Sequence, residues 1–149
     1  EAFAHPLAFN CIPKIDVMLE DGSTKEEWKM VQETKKIMHA PEIGVCATCV
    51  RVPVMRCHGE AINVEFTGPV SVEAALAAWE KAPMMEIIDD PANDQYPMPG
   101  VLAGSDPVYV GRVREDVSVE NGLSFWLVMD QIRKGAAFNA VQIAQLLLT

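Results

Sequence analysis

Apolar and polar residues alternate along two stretches near the middle of the chain, "CVRVPVM" at 49–55 and "EAINVEF" at 60–66. A period of two marks a half-buried strand, so strands are expected at 45–55 and 60–67. Val50, Val52 and Val54 would line the apolar face of the first strand, and Ile62, Val64 and Phe66 that of the second. Short apolar runs predict further strands at 7–11 (stopped by Pro13), 84–88, 107–116 and 122–130. Helical spacing predicts a helix over 24–39, with Ser23 as N-cap and Glu26 completing a capping box, and Pro41 and Gly44 beyond its end. A second helix is expected over "SVEAALAAWEKA", where Val72, Ala75, Leu76 and Trp79 share one face and Pro83 follows. A third, "RKGAAFNAVQIAQLLL" at 133–148, leaves almost no polar face and wants cover on several sides. Between them, 89–106 reads as a long loop rich in Pro, Gly and Asp, a kind that is often functional or at an interface. The order β-α-β-β-α-β-β-β-α implies an α+β fold with a mixed or antiparallel sheet and helices packed on one face.

The 149 residues suit one domain, which at this size buries roughly 70% of its unfolded surface without staples. A formal net charge of −9 argues against nucleic acid or anionic lipid as the main partner, because both need a basic footprint. It leaves room for a small anionic substrate, which needs only one local cation. No apolar run is long enough to span a membrane. The start "EAFAHPLAFN" lacks the basic and apolar regions of a leader and begins on Glu, as expected of a piece of a longer protein. Cys46 and Cys49 form a C-x-x-C, but with strand-like flanks and no second ligand pair. Reduced, partly buried thiols in a cytoplasmic protein are the expectation, with no metal site.

His58 lies between the two alternating stretches with Gly59 behind it. It is expected to cap a turn, either as a plain turn residue or as a working acid/base. Arg51 points to the opposite face from the valines. An Arg in a Val-rich strand is costly unless it finds an anion, either a structural carboxylate or a substrate carboxylate gripped by its fork. Glu26 and Lys29, three apart, lie on one helix face. A solvated ion pair is their ordinary role. In a site they could read an ammonium and an oxyanion.

The motif order is more specific. "FNCIPKID", "EEWK" with "ETKKIM", "ATCVRVPVMRCHGEAINVEF", "DPVYVGRVRED" and "FWLVMDQIRKGAAFNAVQIAQLL" together resemble the C-terminal half of aspartate-semialdehyde dehydrogenase over essentially the whole chain. The resemblance implies a catalytic and dimerisation domain at 1–132, like the C-terminal domain of glyceraldehyde-3-phosphate dehydrogenase-like enzymes. It also implies a tail helix at 133–149 packed on a nucleotide-binding domain. The implied reaction is reduction of L-aspartyl-4-phosphate by NADPH to L-aspartate-4-semialdehyde and phosphate, on the diaminopimelate route to lysine and on those to methionine and threonine. Under it, His58 is the acid/base and Arg51 binds the substrate α-carboxylate. Glu26 contacts the amino group, Lys29 the phosphate, and Asn139 lies near the nicotinamide. The partners implied are the small-molecule substrate and a second copy in a homodimer, with NADP as cofactor.

Two family features are missing from these residues. No G-x-G-x-x-G phosphate turn occurs, and the thiol nucleophile belongs to the N-terminal domain. Cys11 in "FNCIP" aligns with a position that carries no chemistry and is expected to be structural. The chain by itself is therefore expected to be inactive. Two alternatives stay open: a related N-acetyl-glutamyl-phosphate reductase, and a non-catalytic dimerisation or ligand-binding module.

Overall fold

Helix α1, Lys25–Ile37, starts at Thr24. The Thr24 N–H donates to Glu27 Oε2 at 2.7 Å and the Glu27 N–H to Thr24 Oγ1 at 3.3 Å, a complete capping box. The box thus sits one residue later than Ser23 and Glu26 suggested. The reason is local competition: the Ser23 hydroxyl and N–H both bind Asp21 Oδ1, inside a tight turn that Gly22 closes with a φ of 84°. Glu26 is thereby released from capping. The helix stops at Met38, and His39 follows in the left-handed region.

The computed structural model describes residues 3–148. They fall into two units, Glu1–Pro53 and Val54–Thr149. In the first, α1 is the sole regular element among the described residues. The strand expected at 7–11 is a turn instead: Phe9 has a φ of 58°, and the Asn10 N–H donates to the Leu7 carbonyl. The strand expected at 45–55 is also missing. This stretch makes one isolated bridge, between Ile12 and Arg51. Alternation alone could not supply a ladder partner. Val50, Val52 and Val54 remain about two-fifths exposed, at 41%, 42% and 42%, so they do not form a buried face.

The second unit holds a four-stranded mixed sheet in the order β1-β4-β3-β2. Its strands are β1 His58–Glu65, β2 Met85–Ile87, β3 Val108–Glu115 and β4 Gly122–Met129. β2 runs parallel to β3, and the other pairs are antiparallel. Helix α2, Val72–Trp79, capped by Ser71, packs Trp79 edge-on against Phe125 of β4, 5.0 Å between ring centres. The register puts His58, Glu60, Ile62 and Val64 on the face shared with Leu123, Phe125, Leu127 and Met129. On the other face Tyr109, Val128 and Trp126 join Cys57, Leu102 and Ile88 in the core cluster.

The expected loop at 89–106 is shaped rather than loose. It contains a 3-10 turn, Pro91–Asn93, and the short helix α3, Pro99–Leu102. It is fastened by the Trp126 Nε1–H, which donates to the Pro97 carbonyl at 2.8 Å. The tail begins with a π-helical turn, Arg133–Ala137, and continues as α4, Phe138–Leu146. Val141, Ile143, Leu146, Leu147 and Leu148 are exposed there, as the missing polar face led one to expect. No helix among the described residues is long and apolar enough to cross a membrane.

Candidate active site

His58 is the first residue of β1, paired with Met129, and does not cap a turn. The turn is made one residue earlier, where Cys57 takes a φ of 79°. A non-glycine residue held there is strained, and persists only where its surroundings over-determine it. They do so here. The Cys57 N–H donates to Gln131 Oε1 at 2.8 Å, and the Arg56 guanidinium pairs with Asp130 at 2.7 Å. The Cys57 side chain is buried in the core cluster. On the other side of His58, the Trp126 ring stands 2.5 Å from where a Cβ on Gly59 would be, so only glycine fits. The imidazole itself is exposed. It lines a hollow of about 140 Å³ with Glu60, Val108, Leu127 and Met129.

Asp130 anchors this end of the sheet. Its side chain is fully buried. It accepts the Gly104 N–H at 2.7 Å and the Ile132 N–H at 2.9 Å, besides pairing with Arg56. Burial pushes its pKa up, but the Gly104 hydrogen bond, the Arg56 guanidinium and the Ile132 and Arg133 N–H groups outweigh this and hold it at about 2. Burial, then the Asp130 charge, push the Cys57 thiol up, against the pull of Arg56. That is the opposite of what an activated thiolate needs.

In the first unit, Glu26 and Lys29 meet in an ion pair of 2.9 Å, both partly exposed. The Glu26 hydrogen bond and charge raise the Lys29 pKa. Glu27 Oε1 accepts the Cys49 N–H at 2.7 Å, which ties the first turn of α1 to the chain two residues before Arg51. Arg51 itself lies over the Phe3 ring, 4.7 Å from its centre. Among the described residues it has no carboxylate partner. The structural ion pair considered for it is therefore not formed there. Asn139, in the first turn of α4, accepts from Lys134 Nζ at 3.3 Å.

The sequence reading missed Glu27, Asp130 and Gln131. A second Glu one place on from a candidate box was the signal for Glu27. For the other two it was a polar pair, "DQ", closing the apolar run of β4. Among the described residues no group of three or more His, Cys, Asp or Glu side chains is placed to hold a metal ion.

Residues 1–134 match the family model described as semialdehyde dehydrogenase, dimerisation domain. The chain belongs to this family. Its relatives in the semialdehyde dehydrogenase family include the aspartate-semialdehyde dehydrogenases of Aquifex aeolicus, 53% identical, and Synechocystis, 51% identical, each over 99% of this chain. The chain spans 44% of the length of either. A crystal structure of aspartate semialdehyde dehydrogenase II from Vibrio cholerae, complexed with ASA, superposes with a TM-score of 0.93 at 46% identity, covering 99% of this chain and 44% of that one. The α+β fold with its mixed sheet is thus the fold of this family's domain.

Proposed function

We propose that the chain works as part of an NADP-dependent aspartate-semialdehyde dehydrogenase in the biosynthesis of lysine, methionine and threonine. The observation that carries this is the similarity, over nearly the whole chain, to the Vibrio cholerae enzyme bound to ASA. The residues fit the roles. Arg51, free of carboxylate partners among the described residues, presents a fork suited to a planar carboxylate. Glu26 can accept from an ammonium, and Lys29 can meet a phosphate as a point charge. His58, exposed at the start of β1, is placed to serve as the general acid/base.

The chain holds no glycine-rich phosphate turn, so it does not fit NADP on its own. Asn139 is the one contact assigned to that cofactor. The attacking thiolate is likewise assigned, through the family resemblance, to a cysteine outside these residues, and Cys57 is buried with a raised pKa. The substrate binds in a cytoplasmic homodimer, with 1–132 forming the catalytic and dimerisation part and 133–149 packing on the nucleotide-binding part. The test is substrate choice by the full-length protein. Phosphate-dependent NADP reduction should be far faster with L-aspartate-4-semialdehyde than with N-acetyl-L-glutamate-5-semialdehyde. The reverse preference would replace this reading with the N-acetyl-glutamyl-phosphate one, and no turnover of either would leave a binding module.

A further inference from the structure

The strained residue just before His58, and Arg56 before it, are held by the two residues that follow β4. The Cys57 φ of 79° sets the direction in which the chain enters β1, at whose first residue His58 stands. The Cys57 N–H has one partner, Gln131 Oε1 at 2.8 Å. Arg56 is fixed to Asp130 at 2.7 Å. Asp130 is in turn held by Gly104 from the 89–106 segment and by the N–H groups of Ile132 and Arg133. One dipeptide thus clamps both residues upstream of His58, and the Trp126 ring closes on Gly59 downstream. A left-handed residue before a strand is not specific to this place, since Met84 takes a φ of 62° just before β2. What sets Cys57 apart is the side-chain clamp on it and on Arg56, and a general acid/base needs such fixing, because misplacement by about 1 Å can cost roughly 100-fold in rate.

We infer that Asp130 and Gln131 are positioning residues for His58: Gln131 fixes the Cys57 amide, and Asp130 fixes Arg56, so that the imidazole enters the site on a preset backbone. This rests on His58 being the acid/base. Neither residue touches substrate in this scheme.

Gln131 offers the cleaner test, since removing Asp130 leaves Arg56 facing an empty place and risks the fold. In the full-length enzyme, Gln131→Leu keeps the bulk and loses the acceptor. It should lower kcat by about 10- to 100-fold while KM for aspartate semialdehyde stays unchanged. Gln131→Glu can still accept the Cys57 N–H and should restore most of kcat. Hydrogen-exchange mass spectrometry on the same proteins should show faster exchange in the peptide spanning 54–60 for Gln131→Leu, and wild-type exchange for Gln131→Glu. A folded Gln131→Leu enzyme with wild-type kcat, an equal loss in both variants, or a loss shared by kcat and KM would each overturn the inference. If the wild-type protein lacks the activity, the functional reading fails separately. Exchange then decides the clamp alone: acceleration in Gln131→Leu supports it, and unchanged exchange overturns it.

Discussion

Glu27 receives the backbone N–H of Cys49 on one carboxylate oxygen and that of Thr24 on the other, each at 2.7 Å. A capping residue thus also ties α1 to the stretch that carries Arg51. The same arrangement explains why Glu26, the neighbouring glutamate, is free to meet Lys29.

The cap assignment is testable on stability. Thr24→Ala removes the hydroxyl that accepts the Glu27 N–H and should cost ~1 kcal/mol. Ser23→Ala, at an exposed turn, should stay within about 0.5 kcal/mol. Denaturant unfolding of both variants checks this. Equal losses would mean that Ser23 caps as well.

How far the sequence is legible follows from which signals are local. β3, β4, α2 and the tail helix are readable because their signals are local: short apolar runs for the two strands, helical spacing closed by Pro83 for α2, and a long apolar run for the tail. The stretch at 49–55 carries the period but pairs only through the single Arg51–Ile12 bridge among the described residues, and Pro53 lacks an N–H. Pairing is a tertiary fact, so this alternation misleads. The hydroxyl competition that moves the cap from Ser23 to Thr24 depends on Asp21 folding back, which no pattern of apolar residues records. Arg51, His58, Glu26 and Lys29 stand out through motif order. Asp130 and Gln131 do not, because their work is to hold the backbone 74 residues earlier in the chain.

Acid should expose the Asp130 anchor. Its folded pKa, about 2, lies below the ordinary 3.8. Between those values the unfolded chain binds more protons than the folded one, so stability falls as pH falls. The contribution is complete above about 3.8 and is lost as pH drops through about 2. Glu27 shifts in the same direction, through the Cys49 and Thr24 N–H groups. Urea unfolding at a series of pH values should therefore show stability falling as pH drops from about 3.8 to about 2, and less steeply in Asp130→Asn. An identical slope in the variant would remove Asp130 from the account.

Arg51→Lys keeps the charge and loses the two-pronged fork. The KM for aspartate semialdehyde should rise by about 10-fold or more, the equivalent of one lost charge-assisted hydrogen bond. The KM for phosphate should change much less. A KM for the semialdehyde equal to wild type would show that Arg51 serves the fold and not the substrate.

The 149 residues taken alone should dimerise and show no dehydrogenase activity. The exposed apolar residues of the tail, Leu146 to Leu148 among them, add surface that tends to find a partner. Sedimentation equilibrium at micromolar concentration, with an NADP-linked assay on the same sample, checks both halves. A clean monomer contradicts the first, and phosphate-dependent turnover contradicts the second.

The acid/base role of His58 is tested by phosphate-dependent NADP reduction with the full-length His58→Ala protein. Turnover should fall by roughly 10²–10⁴-fold, the usual worth of a positioned general acid/base, with much smaller change in KM for aspartate semialdehyde. Near-normal turnover in a folded His58→Ala protein would contradict the account.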